Sequence, residues 1–163
     1  MAILSVNKLL KAELESLDKQ LKTRSRTKVE MINIMSDHII SSGGKRLRPI
    51  TLLLSAYSVN NRLENTIVDS SVVVEFIHAA TLLHDDVVDM SHIRHNIDTA
   101  HTIWGNKGAV LVGDFLYSRA FEIIVEINSP LVYETLAQTT NIIAQGEVMQ
   151  LMNIGNIDIS ENL

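Results

Sequence analysis

Leucine recurs at helical spacing near the start of the chain, with Leu9, Leu10, Leu14, Leu17 and Leu21 set among Lys, Glu and Asp over residues 5–21. That period predicts an amphipathic surface helix, and the mixed charge signs of its polar face argue against membrane-surface binding. After the polar break Thr23-Arg24-Ser25-Arg26-Thr27, the positions Val29, Ile32, Ile34, Met35, Ile39 and Ile40 predict a second helix, ending where Gly43-Gly44 offers a left-handed cap. Pro49 is placed to open a third helix through the apolar run 50–56. Asn60-Asn61-Arg62 marks a loop, and a long fourth helix follows over about residues 65–90. Trp104-Gly105-Asn106 punctuates the next start, and residues 109–127 form a core helix whose charges, Asp114, Arg119, Glu122 and Glu126, lie at its edges. Ser129-Pro130 supplies a cap and a first-turn proline for a last helix to about residue 152, and Ser160 has the character of a further cap. No internal repeat and no alternation able to build a sheet is present, so the pattern predicts an all-α chain.

Composition narrows this further. In 163 residues, 46% are hydrophobic and only two are Pro and seven Gly, which fits one ordered domain able to bury a core. The net charge of −5 speaks against nucleic acid as a partner. The absence of cysteine removes disulfides, thiolate metal sites and thiol nucleophiles. The N-terminus lacks the apolar core of a signal peptide and no run approaches the roughly 18 apolar residues of a membrane span. The expectation is a soluble cytoplasmic protein with no transmembrane segment.

Two clusters carry candidate chemistry. On the fourth helix His78, Asp85 and Asp89 share one face of an otherwise apolar wall. Asp85 and Asp89 stand one turn apart and offer oxygens to a hard cation such as Mg2+, which takes one or two carboxylates and completes its shell with water and phosphate. The alternative is a solvated acidic patch. The second cluster is Lys45, Arg46 and Arg48, gathered just ahead of Pro49, where free helix N–H groups favour an anion. A solvated basic turn is the alternative there, and the spacing of a Walker loop is absent. His78, His84, His92, His95 and His101 invite a zinc reading that their spacing does not support. Glu147, on the last helix, reads either as a supporting acid or as an ordinary surface residue.

Gly43-Gly44-Lys45-Arg46-Leu47-Arg48-Pro49, the run from His78 to Asp89, Thr99-Ala100-His101 with Trp104-Gly105-Asn106, Gly113-Asp114-Phe115-Leu116 and Gly146-Glu147-Val148-Met149-Gln150 occur in one order over nearly the whole chain. In these motifs the chain resembles the N-terminal half of trans-polyprenyl diphosphate synthases, of octaprenyl or similar type. The resemblance implies that residues 1–163 are the first portion of a single synthase domain. It implies the isoprenoid synthase fold, antiparallel helices around a deep cavity, here incomplete because the C-terminal half is absent. It also implies that Asp85, Asp86 and Asp89 hold Mg2+ against an allylic prenyl diphosphate, with Arg94 on the same diphosphate. Lys45, Arg48 and His78 would bind isopentenyl diphosphate, and His95 stands where the family usually has a second Arg. Ala79, Ala80 and Thr81 are small where bulky residues would shorten the product, which suggests a medium or long prenyl chain.

A second aspartate cluster, which in that family brings further Mg2+, has no counterpart here. The expectation is therefore a truncated or split prenyltransferase chain of isoprenoid biosynthesis, inactive alone. The competing expectation is a non-catalytic subunit pairing with another synthase chain, with a homo-oligomer or a C-terminal-half chain as partner. A third reading, His84-Asp85 as the metal pair of a phosphohydrolase, lacks the further His and Asp ligands it needs.

Overall fold

Apolar residues at helical spacing become helices almost throughout the computed structural model, which describes residues 6, 8–42, 44–60 and 64–160. Among these, α1 (Lys11–Arg24), α2 (Glu30–Ser41), α3 (Leu47–Val59), α4 (Asn65–Val88), α5 (Ala100–Ile127) and α6 (Pro130–Met152) are joined by one hairpin, β1 (Ile93–Arg94) and β2 (Ile97–Asp98). The chain forms two compact units, Met1–Ile127 and Asn128–Leu163.

In the first unit α4 and α5 run antiparallel. Arg24 at the end of α1 reaches both the start of α4, at Asp69 (3.6 Å), and the end of α5, at Glu126 (2.6 Å). At the other end of α4, His84 Nε2 lies 3.2 Å from the Val110 carbonyl of α5. The core between them is filled by Val72, Val73, Phe76, Ala80 and Leu83 of α4 and Leu116, Ala120 and Ile123 of α5. Leu17 and Leu21 of α1, Met35 of α2 and Leu53 of α3 are buried as well. Each large side chain so buried contributes about 1.5–3 kcal/mol.

Gly113 is what lets the two long helices meet at His84. A Cβ at position 113 would lie 2.3 Å from His84 Nε2 and 2.7 Å from Cδ2. Gly113→Ala is therefore expected to push the ring off Val110 and Asp114 and to cost about 1–3 kcal/mol of overpacking, read by urea unfolding. The same change in a His84→Ala background should cost little.

Four expectations are corrected. Gly44 is not left-handed and Gly43 lies outside the described residues; the left-handed residue of that turn is Arg46 (φ 51). Pro49 is third in α3, which begins at Leu47, and is tolerated because first-turn N–H groups have no helical partner. The helix expected from residue 109 begins at Ala100, and Trp104-Gly105-Asn106 marks a kink inside it, where Gly105 has φ 82 and ψ 159. The expectation that no stretch could span a membrane fails by length and composition for α4. That helix, however, buries ten residues, Glu75 and Asp86 among them, as a core helix does.

The hairpin is the other departure from a purely helical reading. Ile93 faces Asp98 and Arg94 faces Ile97, with His95 (φ 49) and Asn96 (φ 65) as the two-residue loop. Two consecutive positive φ values match the twist that such short hairpins require, and His and Asn adopt them more readily than most residues. The expected loop at Asn61 and Arg62, the start of the first helix at residue 5, and any helix capped by Ser160 lie outside the described residues.

The second unit is α6 with its flanks. Ser129 occupies the N-cap position and Pro130 the first turn, as expected, although the Ser129 side chain makes no cap hydrogen bond. No residue of α6 is buried: Leu131, Val148, Leu151 and Met152 are 72%, 57%, 58% and 80% exposed.

Candidate diphosphate and metal site

The acidic cluster forms at the C-terminal end of α4. Asp89 is the C-cap residue, and its N–H donates to the Asp85 carbonyl at 2.8 Å, so the two carboxylates leave the helix one turn apart. Asp85 is half-buried and Asp89 exposed. A helix C-terminus carries partial negative charge, which adds to the pull of two carboxylates on a cation. Among the described residues no group of three or more His, Cys, Asp or Glu is arranged to hold a metal. A pair of carboxylates with room for water and phosphate oxygens is nevertheless the donor set that Mg2+ accepts.

Asp86 is different from its neighbours. It is 2% exposed, and Arg94 of the hairpin donates to it from Nε (3.0 Å) and Nη2 (2.8 Å). The charges of Asp86 and Arg94 are thus spent largely on each other, which ties the hairpin to the acidic end of α4.

The basic corner forms where the turn before α3 meets the middle of α4. Arg48 Nη1 lies 2.9 Å from His78 Nε2. A guanidinium only donates, so Nε2 must accept, which requires the neutral imidazole. Burial and the facing Arg48 lower the His78 pKa from 6.5, with Arg94 and Arg46 pushing the same way and Glu75 opposing. Folded His78 therefore resists a proton that the unfolded chain accepts, and stability falls as pH drops below about 6.5. Urea unfolding at pH 7.5 and 5.5 should show that loss in the native sequence, and a smaller one in His78→Gln.

Lys45 is exposed beside this corner. Arg46, counted with Lys45 and Arg48 in the sequence, turns inward to Glu75 at 2.6 Å. His95 Nδ1 lies 3.2 Å from the Ser42 carbonyl, three residues before Lys45. Seven residues, roughly 10 Å of helix, separate His78 from Asp85. The structure thus brings Arg48 to His78, Arg94 to Asp86 and His95 to the entry of the basic turn. Glu147 is exposed in the second unit. Ala79 and Ala80 are buried, and Thr81 donates to the His78 carbonyl at 2.9 Å. Sequence reasoning missed Glu75, whose signal was a lone acid in the run Val72-Val73-Val74-Glu75-Phe76.

Comparison with known proteins follows the same lines. The family model described as Polyprenyl synthetase matches residues 29–163. Octaprenyl diphosphate synthase of Escherichia coli K12 is 41% identical over 156 residues, which is 96% of this chain and 48% of that protein. Heptaprenyl diphosphate synthase component 2 of Geobacillus stearothermophilus is 30% identical over 151 residues, 93% of this chain and 47% of that one. A crystal structure of polyprenyl synthase from Caulobacter crescentus CB15, complexed with calcium and isoprenyl diphosphate, superposes with a TM-score of 0.93 at 40% identity, over 98% of this chain and 48% of that one. The chain spans about half the length of the curated relatives it matches.

Proposed function

Because the chain belongs to the polyprenyl synthetase family, we propose that it supplies one half of a prenyl-transferring site, condensing an allylic prenyl diphosphate with isopentenyl diphosphate. The observation that carries this reading is the Arg48–His78 contact, which sets a basic corner on the same helix as Asp85 and Asp89, two turns earlier. Lys45 and Arg48 donate to the isopentenyl diphosphate, with His78 orienting Arg48 and His95 standing at the edge. Asp85 and Asp89 hold Mg2+, and Arg94, steadied by Asp86, borders the allylic diphosphate. When bound, the metal supplies positive charge where the departing diphosphate gathers negative charge.

The chemistry asks for cations on the leaving group and an apolar place for the carbon chain. As the allylic C–O bond ionises, charge builds on diphosphate oxygens, so fixed cations there stabilise the transition state more than the ground state. One unit-charge pair at about 4 Å and an effective dielectric near 20 is worth on the order of 4 kcal/mol. The isopentenyl alkene then attacks the allylic carbon, and a proton leaves to restore a double bond.

Exposed apolar side chains on α6 support the reading that the helices belong to a larger bundle, with the relatives' remaining half as the occupant of that face. Purified chain with Mg2+ and both diphosphates is expected to give no prenyl product. Adding a polypeptide that corresponds to the C-terminal half of the octaprenyl relative should produce it. Turnover by the isolated chain, or none from the mixture, overturns the reading. The word "component" in the Geobacillus relative's name supports a second reading, a subunit that pairs with a separate synthase chain. Its mark would be a gain of product only with a full-length synthase.

A further inference from the structure

Glu75 is 7% exposed in the middle of α4, and nothing in the function above uses it. Its Oε1 accepts from Arg46 Nη1 at 2.6 Å. Arg46 Nη2 donates to the Ile40 carbonyl at 2.8 Å, and its Nε lies 3.5 Å from Asp18 Oδ1. One guanidinium is thus gripped by α1, α2 and α4 together. Its own backbone is left-handed, φ 51 and ψ 33, a conformation that disfavours a side chain with a Cβ. Such a conformation persists only where its surroundings over-determine it. Two residues later Arg48 meets His78, which stands one turn beyond Glu75 on the same helix. Neighbouring positions of one turn therefore plug into neighbouring turns of α4.

We propose that Glu75 is a positioning residue for the diphosphate corner: by holding Arg46 it fixes the left-handed turn that delivers Arg48 to His78. This rests on reading Lys45, Arg48 and His78 as a diphosphate site. The three cations of the motif then divide their work, with Arg46 as the anchor and Lys45 and Arg48 as ligands. A buried carboxylate left without its partner is costly, so Glu75 keeps Arg46 inward and out of competition for the anion. Lysine at position 46 would keep the charge but not the fork, because an ammonium cannot meet Glu75 and the Ile40 carbonyl in the same planar geometry.

The test is nuclear magnetic resonance on the isotope-labelled chain with isopentenyl diphosphate as the probe. Native chain should show a through-space signal between the Arg48 side chain and the His78 ring, and should bind the probe with shifts at residues 45–48. Glu75→Gln should lose that signal and bind about tenfold more weakly, and Arg46→Lys should do the same. The double variant should bind no worse than either single one, since both act on one link. Core methyl signals of Leu116 and Ile123 report whether each variant is folded, and Arg46→Lys carries the test if Glu75→Gln is not. Retention of the signal and the affinity in the folded variants overturns the proposal, as do single effects that multiply in the double variant. Failure of the native chain to bind the probe overturns the diphosphate reading instead, while the Arg48–His78 signal still decides the latch.

Discussion

Asp89→Ala, in synthase reconstituted from this chain and its complementary half, is expected to lower turnover about 10³-fold while leaving the stability of the chain within about 0.5 kcal/mol. Asp89 is exposed at the end of α4, so its side chain contributes little to folding. Its role in the proposed function is to place a cation, and loss of one preorganised charge contact of this kind costs about 3–4 kcal/mol in the transition state. Asp85→Ala should lower turnover to the same degree. Steady-state rates at saturating diphosphates, set beside urea unfolding of each variant, check both halves of the expectation. A variant with near-native turnover would remove Asp89 from the site.

Asp86→Ala is expected to behave in the opposite way, costing about 3 kcal/mol of folding stability, because it strands the Arg94 guanidinium beside a buried position. Asp86 is 2% exposed and receives two short hydrogen bonds from Arg94, whose side chain is 27% exposed. Removing both partners together, as Asp86→Leu with Arg94→Met, should restore much of that loss, since no unpaired charge remains. Urea unfolding of Asp86→Leu, Arg94→Met and the double variant measures the coupling. A single variant as stable as the native chain would show that the pair carries no structural weight. The two predictions separate two acids of one motif by what fails first, chemistry at position 89 and folding at position 86.

That separation was not legible in the sequence, where Asp85, Asp86 and Asp89 form one cluster. Helical period fixes which acids share a face, and it correctly placed Asp85 and Asp89 a turn apart. It says nothing of which acid meets a distant arginine, because Arg94 arrives through the hairpin, an element of two-residue strands too short to show alternation. The basic turn was legible in the same partial sense. Lys45, Arg46 and Arg48 were read together, yet the left-handed residue was sought at glycine on steric grounds and lies at Arg46, held by tertiary contacts. Glu75 went unread for the same reason, since burial of a carboxylate is decided by a partner 29 residues away. The helices themselves, and the family to which the chain belongs, were plain from apolar spacing and motif order.

The hairpin has a geometric consequence. One arm is pinned at Asp86 through Arg94, while its turn and second strand are pinned to α2 by His95 at Ser42 and by the Asp98 carbonyl at His38 Nε2, 2.9 Å away. Six residues thus act as a caliper, with one jaw on the acidic end of α4 and the other on the segment that feeds the basic turn. The spacing of His78 and Asp85 is fixed by α4 itself, and the turn length of this loop sets instead where Arg94 and His95 stand beside it. An extra residue between His95 and Asn96 would move His95 off the Ser42 carbonyl without touching the Arg94–Asp86 pair.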